Sequence, residues 1–338
     1  MSLRLPPWLD GPARLLDEAF TGPRPPHALL LRAAEGLGAD LLATWIAARV
    51  LCRAEGRRPC GECRACIAVE RGLHPDLMRL SPLEDSKQIR IDEIRELTAD
   101  LALKSHQGGY KVAIVEPAET LNTNAANALL KTLEEPSANT LLVLVTHRRA
   151  RLPATIVSRC QQLVITRPET RLARDWLQRE FPDSAGAELL RFARGAPLRA
   201  IELAARDFAE IDRDMTSLIE RGAERTLDIP AVAEQWTRSS KADLPDRLVW
   251  LETWVTERIA GDMTAAQMQR AGAPAGLPVA NETLKIRRLY GVLDQLRRIK
   301  ITSLSSLNMT MTVESLLLEL EGALALRPAE AHGRSGRR

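Results

Sequence analysis

The sequence predicts an α/β domain followed by a helical region, a fold class of α/β plus α, on three observations. First, short apolar runs alternate with helical patterns from about residue 27 to residue 165; strands that alternate with helices form a parallel sheet covered on both faces. Second, the strand patterns stop after Pro168, and apolar residues then recur at three- and four-residue steps. Third, leucine, alanine and arginine are abundant while aromatic residues make up only 4% of the chain, which favours helix.

Each predicted strand is a short apolar segment that leads into a helical pattern or a loop. In order, the segments are "HALLL" before "ADLLATWIAARVLC", "DLMRL" before "IDEIRELTADLAL", "YKVAIVEP" before "NTNAANALLKTLEE", and "NTLLVLVTH" before a basic loop and "QQLVIT". We therefore expect strands of about 4–6 residues in the first part of the chain.

The patterns divide the chain into three predicted domains. These are an α/β domain at 1–167, a small helical lid at 168–207 and a longer helical domain at 208–330. The apolar stripes of the last domain are Leu248, Leu251, Trp254, Val255 and Ile259 on one helix and Leu289, Val292, Leu293 and Leu296 on another. We predict an exposed loop at "AGAPAGLPVANET" and a disordered tail at 331–338.

Composition and charge are those of an ordinary globular protein. Hydrophobic residues make up 45% and charged residues 27% of the chain. The balance of 47 basic and 44 acidic residues gives a net charge of +3, which neither requires nor excludes a nucleic-acid partner. The N-terminus has no apolar core of signal-peptide length, and no run of about 18 apolar residues occurs. We therefore expect a cytosolic protein that is not inserted in a membrane.

The turn between the first strand and its helix is similar to a phosphate-binding loop that has lost its chemical groups. A working loop reads G-x-x-x-x-G-K-[ST], in which the lysine reaches the phosphates and the hydroxyl binds Mg²⁺. Here the corresponding positions hold Ala33, Gly38, Ala39 and Asp40. The lysine and the hydroxyl are missing, and Asp40 would place a negative charge beside a polyphosphate. The alternative is that "EGLG" is simply a tight turn.

The third predicted strand also lacks the groups that a phosphate loop needs. Such a strand normally ends in Asp-Glu, which hold the metal and orient the attacking water. This chain has Glu116 and Pro117 at these positions, and proline cannot polarise water. Because two independent catalytic positions are missing, we expect a nucleotide-binding scaffold that neither binds nor hydrolyses ATP, and therefore not an enzyme.

Four of the five cysteines lie within fifteen positions. Cys52, Cys60, Cys63 and Cys66 have the spacing C-x7-C-x2-C-x2-C. The two-residue spacings aim thiolates at one point, and four thiolates complete the tetrahedral shell of a structural Zn²⁺. In a reducing compartment such a cluster is more typical of a metal site than of disulfides. Free thiols are the alternative, and His74 is a possible ligand that four cysteines make unnecessary.

Longer motifs match one family. Over nearly its whole length the chain resembles the bacterial DNA polymerase III clamp-loader subunits, which are AAA+ proteins. The matching stretches include "PWL", "HALLL", the four-cysteine insert, "NTNAANALLKTLEEPSANTLLVLVTH", "LPATIVSRCQQL", "GAPLRA" and "SLNMTMTVESLLLEL". "NALLKTLEEP" followed by "SRCQ" is highly specific to these subunits. The resemblance implies that residues 1–167 form an AAA+ module and that residues 208–330 form an oligomerising collar.

The resemblance also implies a role within an assembly. Clamp loaders are five-subunit rings that use ATP to open a sliding clamp and place it on primed DNA. Loss of the GKT sequence implies a non-hydrolysing subunit that works beside the ATPase (gamma/tau) and delta subunits. The sliding clamp and primed DNA would be contacted within that assembly. One alternative is a clamp-loader ATPase with an atypical nucleotide site, and another is a stand-alone zinc-dependent DNA-binding protein.

The same resemblance implies roles for individual residues. Arg159 in "SRC" would be an arginine finger that reaches the nucleotide of a neighbouring subunit, a task for which a planar and permanently charged guanidinium is suited. Thr146 takes the position of the γ-phosphate sensor, with no phosphate in cis to detect. Leu198 stands where an ATPase relative has a second sensor arginine, and Arg199 is displaced from it by about 100° around the helix.

Two basic segments remain. We assign the loop of His147, Arg148, Arg149 and Arg151 to a subunit interface in preference to DNA. The predicted helix at 284–300 is expected to carry an ordinary solvated face, whose basic residues are Lys285, Arg287, Arg288, Arg297, Arg298 and Lys300 against the single acid Asp294. An aromatic-rich stacking surface is missing from the sequence, which disfavours autonomous binding of single-stranded nucleic acid.

Overall fold

The computed structural model describes residues 3–83, 86, 88–147, 152–206, 208–238, 243–272, 280–301 and 309–325. The chain divides into two compact units, Met1–Ile201 and Glu202–Arg338. The finer division into three domains, with boundaries after residues 167 and 207, stays a prediction.

The first unit contains a sheet and the helices that cover it. Its strands are β1 (Ala28–Arg32), β2 (Leu77–Leu80), β3 (Lys111–Val115), β4 (Thr140–Thr146) and β5 (Gln161–Val164). Its helices are α1 (Asp10–Thr21), α2 (Ala39–Leu51), α3 (Arg64–Glu70), α4 (Ile91–Ala102), α5 (Thr123–Glu134), α6 (Ala154–Val157), α7 (Thr170–Glu180) and α8 (Gly186–Leu189), and α9 (Pro197–Ala204) begins in this unit. Short 3₁₀ turns lie at Pro7–Leu9 and Ala118–Thr120.

The sheet has five strands in the order β2-β3-β4-β1-β5, and every pairing is parallel. The predicted parallel α/β arrangement is therefore confirmed. All five apolar segments form strands, although β4 has seven residues and exceeds the expected length. Because β4 pairs in parallel with both β1 and β3, the carboxyl ends of β1, β3 and β4 lie along one edge of the sheet.

The central strands are buried on both faces, so their residues alternate between two hydrophobic cores. Leu29 and Leu31 join Val143 in the core beneath α1, α2 and α3. Leu30 and Leu144 face the opposite way and pack with residues of α4, α5 and α6. This double burial explains why β1, β3 and β4 read as continuous apolar runs. It also fixes the positions at which the loops leave the sheet.

The second unit is helical in its described parts, as the sequence predicts. Its helices are α10 (Phe208–Glu224), α11 (Ile229–Arg238), α12 (Asp243–Gly272), α13 (Ala280–Ile301) and α14 (Met309–Leu324). The predicted apolar stripes are buried at Leu248, Leu251, Val255 and Ile259 on α12 and at Leu289, Val292, Leu293 and Leu296 on α13. Trp254 is half-buried.

Both ends of the predicted loop at residues 271–283 are helical. Residues 271–272 close α12 and residues 280–283 open α13. Gly and Pro mark where a helix is interrupted, but they do not set how far each flanking helix extends. Residues 273–279 and the predicted disordered tail lie outside the described residues. Among the described helices, none combines the length and apolarity that spanning a bilayer requires.

Candidate functional site

The residues predicted to form a nucleotide site meet at one edge of the sheet. Ala33 follows β1, Glu116 follows β3, and Thr146 is the last residue of β4. The backbone N–H of Ala33 donates to the carbonyl oxygen of Thr146 at 3.1 Å, and Thr146 is buried. Ligands of open α/β sheets bind beyond the carboxyl ends of the strands. This edge is therefore the place where a nucleotide would be expected.

The turn after β1 is built around two glycines. Gly36 and Gly38 have φ angles of 77° and 83°, a left-handed region that favours glycine. Gly38 is the N-cap residue of α2, and Ala39 and Asp40 form the first turn of that helix. Ala39 is buried, whereas Asp40 is exposed. The strand, turn and helix predicted from the sequence are thus present, with an apolar and an acidic side chain at the two positions where the sequence pattern would place Lys and Ser or Thr.

Residues of α9 cover this turn. The backbone N–H of Leu198 donates to the carbonyl oxygen of Gly36 at 3.1 Å. A Cβ atom on Gly36 would lie 2.4 Å from the Cβ of Arg199, and one on Gly38 would lie 3.2 Å from Cδ1 of Leu198. The sequence identified Leu198 and Arg199 as altered sensor positions, but it did not indicate that their backbone is in contact with the loop.

The N-terminal segment holds the other side of the turn. The indole N–H of Trp8 donates to the carbonyl oxygen of Leu37 at 2.9 Å. A Cβ atom on Gly38 would also lie 3.1 Å from Cδ1 of Leu9. Trp8 and Leu9 of the "PWL" segment therefore contact the turn after β1. The only sequence signal for this contact was the presence of "PWL" among the motifs shared with the family.

A polar cluster occupies the sheet edge beside the loop. Nδ1 of His147 donates to the carbonyl oxygen of Ala33 at 3.2 Å, and its Nε2 lies 3.8 Å from Oε1 of Glu116. The backbone N–H of His147 donates to Oε1 of Glu119 at 3.1 Å. His147 therefore contacts the altered site, and Glu119 is a member that the sequence reasoning missed. Arg148, Arg149 and Arg151 of the predicted basic loop lie outside the described residues.

The surroundings of Glu116 favour its protonated form. Burial raises the pKa of Glu116, and the charge of Asp40 raises it further. His147 and Arg79 lower the pKa and Glu119 raises it slightly, but the net change is upward. The side chain of Arg79 is held by a hydrogen bond to Thr44 at 2.7 Å. Asp40 therefore adds a repulsive negative charge beside Glu116.

Arg159 lies in the turn after α6 and forms an ion pair within the chain. Its Nη2 is 2.5 Å from Oε1 of Glu134, the last residue of α5. Its Nη1 donates to the carbonyl oxygen of Thr155 at 2.9 Å and contacts Oγ of Ser158 at 3.5 Å. The side chain of Arg159 is 35% exposed. The structure thus joins the "LEEP" and "SRC" motifs by a direct contact that the sequence did not predict.

The four predicted zinc ligands come together in space. The Sγ atoms of Cys52, Cys60, Cys63 and Cys66 all lie within 4.8 Å of one another. Three of the Sγ–Sγ distances are 3.7, 3.9 and 3.9 Å. Zn–S bonds of about 2.3 Å in a tetrahedron give sulfur–sulfur edges of about 3.8 Å, far longer than a disulfide. Number, element and spacing of the donors therefore fit a metal ion such as zinc.

Backbone N–H groups favour the thiolate form of Cys60 and Cys63. The N–H groups of Glu62 and Cys63 lower the pKa of the Cys60 thiol. Burial opposes ionisation of Cys63, but the N–H groups of Cys66 and Arg53 outweigh it and lower the pKa of Cys63 to about 6. Burial raises the pKa of Cys66. Thiolates are the metal-binding form, so the turn at residues 60–63 supplies two favoured thiolates.

His74 and Cys160 are not members of this metal-binding group. His74 is 4% exposed, and its Nδ1 accepts a hydrogen bond from the backbone N–H of Asp76 at 3.1 Å. Cys160 lies in the core beneath α4, α5 and α6, where burial raises the pKa of its thiol to about 11. The fifth cysteine is therefore a packing residue.

The basic helix predicted at residues 284–300 is α13, and it differs from a simple solvated face. Nζ of Lys285 lies 3.3 Å from Oδ2 of Asp262, and the Lys285 side chain is 14% exposed. Nη1 of Arg288 donates to the carbonyl oxygen of Gly322 in α14 at 2.7 Å. The solvated-face prediction is therefore wrong for Lys285, because a neighbouring helix supplies an acceptor that helical spacing cannot reveal. Arg288 makes its contact with α14 while it stays exposed. Arg287, Arg297 and Arg298 are exposed, and the side chain of Lys300 lies outside the described part of the chain.

The five-stranded parallel sheet, the glycine turn between β1 and α2 and the polar sheet edge define an open α/β protein whose candidate ligand site lies at the carboxyl ends of the strands. A family model described as "DNA polymerase III, delta subunit" matches residues 11–169. DNA polymerase III subunit delta′ of Escherichia coli K12 is 32% identical over 328 residues, covering 94% of this chain and 96% of the relative. The chain belongs to the DNA polymerase III subunit delta′ family.

Two further relatives extend this result. Subunit delta′ of Pseudomonas aeruginosa is 38% identical over 232 residues, which cover 68% of this chain and 70% of the relative. DNA polymerase III subunit tau/gamma of Haemophilus influenzae is 31% identical over 199 residues, covering 56% of this chain and 28% of the relative. Similarity to tau/gamma is thus confined to a smaller part of both chains.

Proposed function

We propose that this protein is a non-hydrolysing subunit of a DNA polymerase III clamp loader. It completes a ring with tau/gamma-type ATPase subunits and a delta subunit, and it helps to place a sliding clamp on primed DNA. Membership of the delta′ family supports the proposal that the chain is part of this assembly.

The observation that carries the non-hydrolysing role is the contact between α9 and the turn after β1. Leu198 donates its backbone N–H to Gly36, and Arg199 lies against the same glycine. A phosphate loop binds polyphosphate with its own backbone N–H groups and needs open space beside them. The contact of α9, the buried Ala39 and the negative charge of Asp40 all oppose such binding. The chain therefore serves as a rigid subunit of the ring and not as one of the subunits that hydrolyse ATP.

The proposed positive contribution is Arg159. It lies on a short turn between α6 and β5 and is 35% exposed, so its guanidinium reaches the surface although it is paired with Glu134. A guanidinium presents a flat pair of N–H donors that match phosphoryl oxygens, and fingers of this type raise phosphoryl-transfer rates by about 10³–10⁵. We infer that Arg159 acts at the ATP site of an adjacent subunit.

The four-cysteine group is proposed to hold one Zn²⁺ with a structural role. All four positions of a tetrahedron are filled by sulfur, so no position is left for a substrate or an activated water. When bound, the ion ties the residues after α2 to the start of α3. Cys52 and Cys66 are buried against the core beneath α1, α2 and α3, and the metal would therefore join this insert to the α/β domain.

The test is the ATPase rate of an assembly reconstituted from this chain and its partner subunits, measured with clamp and primed DNA. We expect Arg159→Ala to lower turnover by about tenfold or more, with the assembly intact on a sizing column. Arg159→Lys should keep the charge but recover little activity, because it lacks the planar fork. Arg174→Ala removes another exposed arginine, on α7, and should change nothing. An unchanged rate for Arg159→Ala would eliminate the finger.

A further inference from the structure

We propose that Glu134 is a positioning residue that holds the Arg159 guanidinium in a resting arrangement and competes for it with the phosphate of a neighbouring subunit. The proposal rests on the proposed function of Arg159 as a finger. It starts from the 2.5 Å contact between Nη2 of Arg159 and Oε1 of Glu134, the closest charged group to the finger among the described residues.

The position of Glu134 explains why it attracts a cation. It is the last residue of α5, and Glu135 follows it as the C-cap residue. The C-terminal end of a helix carries partial negative charge, so two carboxylates there are unfavourably placed. The guanidinium of Arg159 offsets this charge. The ion pair is therefore formed for reasons internal to the chain, without any nucleotide.

The same contact restrains the finger. While Nη2 faces Glu134, Nη1 donates to the carbonyl oxygen of Thr155 at 2.9 Å. Carboxylate and phosphoryl oxygens use the same N–H donors of arginine. A guanidinium whose charge is already neutralised attracts a phosphate less strongly, so the two anions compete. Both side chains are partly exposed, at 35% and 49%, so that the pair is weak enough to exchange when a neighbouring subunit presents ATP.

Glu134→Gln tests the competition because it keeps the size of the side chain and removes its charge. In the reconstituted assembly without clamp or DNA, we expect this variant to lower the KM for ATP and raise the basal rate by about two- to fivefold, the range that corresponds to a partly exposed ion pair. The kcat with clamp and primed DNA should not change. Glu135→Gln is the matched control, since it removes the adjacent carboxylate, and it should leave both parameters unchanged.

The increase must depend on Arg159, so Glu134→Gln combined with Arg159→Ala should behave like Arg159→Ala alone. If Arg159→Ala by itself leaves turnover unchanged, the proposed function fails, and the competition proposal with it. If Arg159→Ala lowers turnover but Glu134→Gln matches Glu135→Gln, or lowers the rate, only the competition proposal is overturned. A double-mutant cycle on urea unfolding of the isolated chain measures the ion pair without ATP, and zero coupling between the two sites would also overturn it.

Discussion

Gly36 and Arg199 are in such close contact that a Cβ atom on the glycine would lie 2.4 Å from the Cβ of the arginine. The carbonyl oxygen of Gly36 also accepts a hydrogen bond from the backbone N–H of Leu198 at 3.1 Å. This contact fastens the beginning of α9 to the turn after β1. It is the physical basis for expecting a site that is closed to nucleotides, and it leads to two predictions.

Gly36→Ala should reduce the free energy of unfolding by about 2–4 kcal/mol, because it adds a steric clash to a strained left-handed backbone. Gly108→Ala is the control, since Gly108 has a φ of 73° and nothing within 4 Å of an added Cβ. The control should lose only about 1 kcal/mol, from backbone strain alone. Urea denaturation of the two variants measures the difference. If both variants lose the same free energy of unfolding, α9 can move away from an added Cβ without destabilising the fold, and its contact with Gly36 does not constrain the turn.

Restoring the missing phosphate-binding side chains should not restore nucleotide binding. Ala39→Lys combined with Asp40→Thr recreates the G-K-T sequence after Gly38, but Leu198 and Arg199 still contact the loop. We expect no saturable binding of Mg-ATP to the wild-type chain or to this variant by isothermal titration calorimetry. Stoichiometric binding by the variant would show that the side chains alone were responsible, and that α9 does not obstruct the site.

The four-cysteine group should bind one zinc ion per chain. Cys66→Ser removes a buried ligand and should abolish stoichiometric zinc in metal analysis of the purified protein. Cys160→Ser, which alters the buried cysteine of the other core, should retain the metal. Treatment with a chelator should accelerate tryptic cleavage after Arg53 and Arg57, because the insert that carries these exposed residues would open locally. Full zinc content in Cys66→Ser would contradict the assignment of the ligands.

Glu116 should make the stability of the chain depend on pH. Burial and the charge of Asp40 raise its pKa above the ordinary value of 4.5, while His147 and Arg79 oppose the shift only in part. The folded state therefore binds the proton more tightly, and the contribution of Glu116 to stability falls as pH rises above about 4.5. Glu116→Gln removes this titration. Its free energy of unfolding relative to wild type should thus increase from pH 4.5 to pH 7.5.

Urea denaturation at several pH values measures this trend. Glu135→Gln serves as the control, because it removes a carboxylate that is exposed to solvent. The relative stability of the control should be the same at both pH values. A relative stability of Glu116→Gln that is constant, or that decreases with rising pH, would contradict the predicted sign.

Most of the fold could be predicted from the sequence because hydrophobic periodicity is a local property. The five strand segments and the apolar stripes of α12 and α13 were all found in this way. The exact ends of α12 and α13 were not, since glycine and proline mark an interruption without setting its length. The pairing of Lys285 with Asp262 was also missed. That pair joins two helices, and the spacing within one helix carries no information about its neighbour.

The sequence likewise predicted some residues of the candidate site and missed others. The cysteine ligands and the altered loop residues were predicted because short spacings aim these groups at one point or one turn. Glu119 was missed, since its contact with the backbone of His147 depends on how β3 and β4 lie side by side. Glu134 was quoted only as part of a motif, and its contact with Arg159 links two segments that are separate in the sequence.

The sequence by itself determined three features: the alternation of strands and helices, the four-cysteine group, and the absence of the GKT and Asp-Glu residues. Each of these depends on residue types at short, fixed separations. Only the tertiary structure decided that α9 contacts the altered loop at Gly36 and that Glu134 meets Arg159. Those contacts join segments far apart in the chain. Their distances are set by how helices and strands pack around two cores, and this is a property of the whole fold that no local pattern encodes.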